Sequence, residues 1–177
     1  MTVSVNPITA GTYQAGIIPI ITRNGTVASP LVTQTGNTGA AFTLPVTPTI
    51  APGMLGPQSR LRIQVISQRT GANGTANLDV YLGTAGTTSD SRVIRSAYAA
   101  TTLQIIQIDT AVQFGTSTTT GMSTGKQNTN SAGTDNQFGD LSTNLNTAAT
   151  MYVTVATNTA NTLDSFSIIS YKVWIEP

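Results

Sequence analysis

The chain has neither histidine nor cysteine among its 177 residues. Their absence removes thiol nucleophiles, disulfides, Cys or His metal sites, haem ligation by His and every Ser-His-Asp arrangement. Charge of both signs is scarce. Eight Lys plus Arg stand against seven Asp plus Glu, a net of +1, and the charged fraction of 8% is about a third of the usual ~25%. So little cationic charge argues against direct nucleic-acid binding, which needs many Lys or Arg to displace phosphate counterions. Long apolar runs are missing as well. The start, MTVSVNPITAGTYQAGIIPIIT, has no basic n-region and its longest apolar stretch is broken at Pro19, so neither a signal peptide nor a membrane span is expected.

What fills the chain instead is Thr, Ser, Asn, Gln and Gly, with Thr close to one position in five. At 177 residues a single domain buries about 70% of its unfolded surface and needs no disulfide or metal staple. Period-2 alternation dominates. In residues 59–68, Leu61, Ile63 and Val65 share one face and Arg60, Arg62 and Gln64 the other, the pattern of a half-buried strand. The polar stretch RTGANGT then leads to Leu78, Val80 and Leu82 facing inward, with Asn77, Asp79 and Tyr81 facing out; the two strands are expected to form a hairpin. Further strands are expected at 92–98, 103–114, 151–156 and 164–175. The apolar phase changes once in 103–114, after Ile105, and once in 164–175, after Ile168. Each change marks an expected bulge or a crossing between sheets.

The first third holds short apolar runs at 17–22, 31–34 and 41–46, punctuated by seven of the eight prolines, which confines them to edges, bulges or arms. No window shows a 3.6-residue repeat. The expected fold is all-β, an antiparallel two-sheet β-sandwich of jelly-roll-like form with an extended N-terminal region. Residues 1–56 would be a Pro-rich arm with short edge strands, and 57–177 the sandwich, with a long projecting polar loop at 115–147.

Motifs that could support chemistry are weak. Gly121 to Gln127, GMSTGKQ, has three residues between its glycines instead of four and no Ser or Thr after Lys126, so it is not a phosphate-binding loop. Asp135, Asn136 and Asp140 match no calcium loop and read as turn formers. The Asn-Gly-Thr sequons at Asn24 and Asn73 also read as turns. The carboxylates show no pairing for glycan hydrolysis. No catalytic residue, metal or cofactor is expected.

Candidate partner contacts are more concrete. Arg60 and Arg62 lie two apart on one outward strand face, paired with Asp79 on the next strand or seating an acidic partner. Trp174, beside Lys172 on one face of the last strand, suits a subunit contact or a sugar platform. Ile17, Ile18, Ile20, Ile21 and Leu31 form an apolar segment that would pair with another chain. The stretches RLRIQVISQ, NLDVYLGTAGTTSDS and FSIISYKVWIE, in a Thr-, Asn- and Gly-rich chain, resemble over residues 59–177 the jelly-roll structural proteins of tailed-bacteriophage virions, capsid decoration or cement proteins and fibre or tail domains. The resemblance implies a non-enzymatic virion component made in the host cytoplasm, a homotrimer that binds the major capsid protein or another virion protein. The alternatives are a tail or fibre component, or a sandwich that binds a host-surface glycan or receptor.

Overall fold

The computed structural model describes residues 16–36, 38–71, 76–98, 103–124, 126–129, 138–159 and 162–176; for 38–40, 103, 124, 126–129, 138–140 and 159 it describes the backbone alone. Among the described residues there are thirteen strands and no helix: β1 (Ile18–Asn24), β2 (Val32–Thr35), β3 (Thr38–Ala41), β4 (Thr49–Ile50), β5 (Arg60–Thr70), β6 (Ala76–Gly83), β7 (Ser91–Tyr98), β8 (Leu103–Phe114), β9 (Gly121–Thr124), β10 (Lys126–Thr129), β11 (Phe138–Leu141), β12 (Met151–Thr159) and β13 (Ser165–Glu176). The large sheet runs β1-β13-β5-β8-β9-β11, with β2 also on β13 and β10 also on β8; the small sheet runs β3-β12-β6-β7, with β4 also on β12. Every pairing is antiparallel.

The order follows from one wound ribbon. If β1 with β2, and β3 with β4, are each taken as one broken strand, the earliest strands lie beside the latest: β1/β2 on β13 and β3/β4 on β12. Inside them β5 lies on β8 and β6 on β7. That is a jelly roll, and it places the core between the sheets. Leu61, Ile63 and Val65 of β5 face Leu78, Val80 and Leu82 of β6 from opposite sheets, all at most 1% exposed. Burial of each such side chain stabilises the fold by about 1.5–3 kcal/mol.

Winding overturns the expected β5–β6 hairpin. β5 pairs with β13 and β8, while β6 pairs with β12 and β7. Two apolar strand faces that would lie side by side in one sheet instead meet across the core. The chain leaves the large sheet at Gly71, whose φ of +113° and whose approach to Asp164, where an added Cβ would sit 2.3 Å from Oδ1, both require glycine. The actual hairpin turn is between β6 and β7. There the Asp90 carboxylate accepts the N–H groups of Ala85, Gly86 and Thr87 at 3.1, 2.8 and 3.3 Å, the local hydrogen bonding that makes Asp a turn residue.

Of the two expected phase changes, one occurs. β13 has a register shift between Ile168 and Ser170, so Phe166 and Ile168 before it and Tyr171, Val173 and Ile175 after it all reach the core. β8 has none: it stays in register with β5 from Leu103 opposite Thr70 to Gln113 opposite Arg60. Ile106, Ile108, Val112 and Phe114 share the buried phase with Gln104 and Thr110, and Ile105 stands on the outer face at 38% exposure.

The N-terminal region also differs from an arm. From β1 onward its described part is built into the sandwich: Phe42, Leu44, Ile50 and Leu55 belong to the core and Ile18, Ile20, Ile21 and Leu31 pack against it. Residues 1–15 of the expected arm lie outside the described residues. Likewise 115–147 is only in part a loop. It supplies β9, β10 and β11 to the large sheet, with Leu141 and Leu145 buried, while 130–137, with Asp135 and Asn136, lies outside the described residues. Gly121 to Gln127, the stretch compared with a phosphate loop, contributes to strands β9 and β10.

Candidate docking face

Two of the sheet edges, β1 and β7, are blunt. β1 contains Pro19, which has no N–H, and its register slips between Pro19 and Ile21; between β1 and β2 the chain leaves the ladder through Gly25 to Leu31, held by Gly25 N–H to Ile169 O and Leu31 N–H to Ile168 O at 2.8 and 2.9 Å. Proline, a bulge and a break are devices that discourage addition of a further strand. On the opposite flank the edge of β7 is covered. Ser123 Oγ of β9 donates to Val93 O at 2.6 Å in a buried contact, and Ser91 donates through N–H and Oγ to Thr143 O at 3.1 and 2.9 Å. Ile18, Ile20, Ile21 and Leu31 are therefore spent on their own core, and of the apolar N-terminal candidates Ile17 alone is fully exposed, at 65%.

The outer face of the large sheet is different. Register sets three cross-strand rows: Glu176–Arg60–Gln113, Trp174–Arg62–Ala111 and Lys172–Gln64–Asp109, each read from β13 through β5 to β8. Pro19 and Thr22 of β1 flank the second and third rows. Alternation puts all of these side chains outside because the intervening residues fill the core. Arg60, Arg62 and Trp174, separate candidates in the sequence, thus meet on one surface. Ile17, one step beyond the Ile18–Ile175 pair, lies at its rim.

Trp174 is the centre. The residue is 8% exposed, with the Lys172 ammonium 4.7 Å and the Arg62 guanidinium 5.5 Å from the ring centroid, both within cation–π range. Its indole N–H donates to Glu176 Oε1 at 3.1 Å. Arg62 donates to Asp109 Oδ1 at 2.7 Å and lies 4.0 Å from Glu176 Oε1, and Arg60 lies 3.9 Å from Glu176 Oε2. A covered ring is not an open sugar platform; it is a rigid apolar base under two cations.

Asp79 is not the partner of Arg60 or Arg62. It lies in the small sheet, where Arg95 grips both its oxygens at 2.8 Å and Tyr81 O–H donates at 3.3 Å. Its side chain is 3% exposed, a buried and paired carboxylate. Burial, and then the Asp79 charge, push the Tyr81 phenol above its usual range. Asp109, by contrast, is 36% exposed. The other described carboxylates are engaged too: Asp90 by backbone N–H groups and Asp164 by Arg69.

Asp109 and Glu176 as partners of Arg62 are missed by sequence reasoning. Their signal is positional: each is in outward phase on a strand adjacent to β5. It becomes readable only once the order β13-β5-β8 is known.

No family model matches the chain, and no curated protein matches it. Among solved structures, the lectin UEA-II complexed with galactose is similar in 91% of this chain and 93% of that chain, at 10% identity and a TM-score of 0.39. The fold is an antiparallel two-sheet β-sandwich of jelly-roll-like form.

Proposed function

We propose that the chain is a non-enzymatic structural component of a virion, a decoration or cement protein that attaches to the shell as a homotrimer. The observation that supports this most is the contrast between blunted edges and a preorganised outer face. Addition of strands is discouraged at the β1 and β7 edges, whereas Trp174 and two arginines, residue types enriched in interface hot spots, lie fixed on one broad sheet surface. Few exposed charges elsewhere leave polar Thr, Asn and Gln for contacts between subunits, where burying unpaired charge would be costly. A glycan-binding alternative calls for an open aromatic ring, and Trp174 at 8% exposure does not offer one.

The direct test is to purify particles from the source that encodes the chain and quantify it by mass spectrometry. Stoichiometric recovery with the particles is expected. Recovery only among free proteins would contradict the proposal. Light scattering over a dilution series tests the trimer, for which three times 18.3 kDa is expected.

A further inference from the structure

We infer that the face centred on Trp174, Lys172 and Arg62 docks an acidic protein surface. This rests on the chain being an assembly component and names what the face is for. Its charges are the cations Arg60, Arg62 and Lys172 and the carboxylates Asp109 and Glu176, and register sets a further lysine position, Lys126 of β10, opposite Asp109. Both carboxylates are engaged by arginine, and Glu176 also by the Trp174 indole. Lys172 is exposed and seated over the ring, placed to meet a partner's carboxylate.

The arrangement costs little to bind through. Trp174 is covered and hydrogen-bonded, and Arg62 is held by Asp109 and the ring, so few rotamers remain to be frozen when a partner arrives. Arginine and lysine already stacked on an aromatic ring present a fixed positive surface to a carboxylate.

Two other occupants fit less well. A sulfated or phosphorylated polymer packs its negative charge densely, and Asp109 and Glu176, interleaved among the cations, repel it more strongly than a carboxylate-bearing protein surface of lower charge density. The outer face of this chain's small sheet is no complement either. There the one described carboxylate, Asp79, is already gripped at both oxygens by Arg95 and buried, so that face presents no free acidic group to a second copy.

The test uses the full chain and poly-L-glutamate as probe, with heparin in parallel, at low and at physiological salt. Poly-glutamate is expected to bind at low salt and more weakly at physiological salt. Lys172→Glu, at an exposed position, is expected to weaken binding at least about tenfold, and Arg92→Glu on the other sheet to leave it unchanged. A thermal midpoint for each variant verifies folding, and Lys172→Ala, which introduces no new charge, should give an intermediate loss if Lys172→Glu is perturbed. No binding of poly-glutamate at low salt, equal effects of Lys172→Glu and Arg92→Glu, or preference for heparin would each overturn the inference, the last in favour of a sulfated glycan. The two proposals fail separately. A chain absent from particles that still binds poly-glutamate through Lys172 removes the virion reading alone. A chain present in particles whose Lys172→Glu variant attaches undiminished removes this face alone.

Discussion

Arg69–Asp164 and Arg62–Asp109 are chemically the same ion pair, placed in opposite parts of the molecule. Both arginines are on β5. Arg69, in the inward phase, has a side chain with no exposure, as has Asp164, and its Nε donates to Asp164 Oδ2 at 2.9 Å. Arg62, in the outward phase, is 24% exposed and its Asp109 partner 36%. Water screens the outer pair, so it contributes about 0–1 kcal/mol to the fold. The inner pair's desolvation must be matched by partners on both sides, so losing one member is severe. One strand thus uses arginine twice, once to hold the fold and once to present charge.

The comparison can be broken at its strongest point first. Asp164→Ala should cost about 3–5 kcal/mol by denaturant midpoint, because Arg69 would keep its burial and lose this carboxylate. Replacing both, Arg69→Met with Asp164→Leu, should recover most of that loss. A single variant within about 1 kcal/mol of the parent would remove the distinction between inner and outer pairs. Next is Arg95→Ala, which strands the 3%-exposed Asp79 side chain; about 1.5–3 kcal/mol should be lost in the same assay.

Tyr98 sharpens the inner region. It is buried, donates to Ser67 Oγ at 2.6 Å and packs on Phe166 at 5.4 Å between ring centroids. Burial pushes its phenol well above the ordinary tyrosine range. Because the folded state holds that proton more tightly than the unfolded one, the stability tied to it is present below about pH 10 and declines as pH rises further. Tyr98→Phe should cost about 1 kcal/mol at neutral pH and lose less stability than the parent on moving to about pH 11. An identical alkaline slope in both proteins would show that Tyr98 is not the source. The smallest effect belongs to the outer pair: Arg62→Ala should change stability by no more than about 1 kcal/mol while weakening poly-glutamate binding.

Local patterning was readable in advance and long-range pairing was not. Leu61, Ile63 and Val65 announce an inward face whatever lies beside them, and the doubled phase after Ile168 announces a bulge, because both depend on neighbours in sequence. The β5–β6 hairpin failed because alternation says which way a side chain points within a strand, not which sheet the strand joins. Ile105 misled for a related reason: an apolar residue on the outer face mimics a change of phase. The prolines of the first third suggested an arm, yet Pro19 sits at a slip in register where an edge strand tolerates it. At the candidate face, Arg60, Arg62 and Trp174 were visible as types. That Trp174 lies under Arg62 and Lys172, with Asp109 on the other side, depends on a β13-β5-β8 register spanning more than a hundred residues.

The chain has only two lysines, Lys172 on the face and Lys126 of β10, which register sets opposite Asp109 at the far end of the Lys172–Gln64–Asp109 row, so amine footprinting reads the docking of this face most directly. Acetylation rates would be compared, residue by residue, between the free chain and the chain in its assembly. The account predicts that Lys172 reacts at least about tenfold more slowly in the assembly, as expected of a charge at the core of an interface. Equal rates for Lys172 in the two states would contradict it.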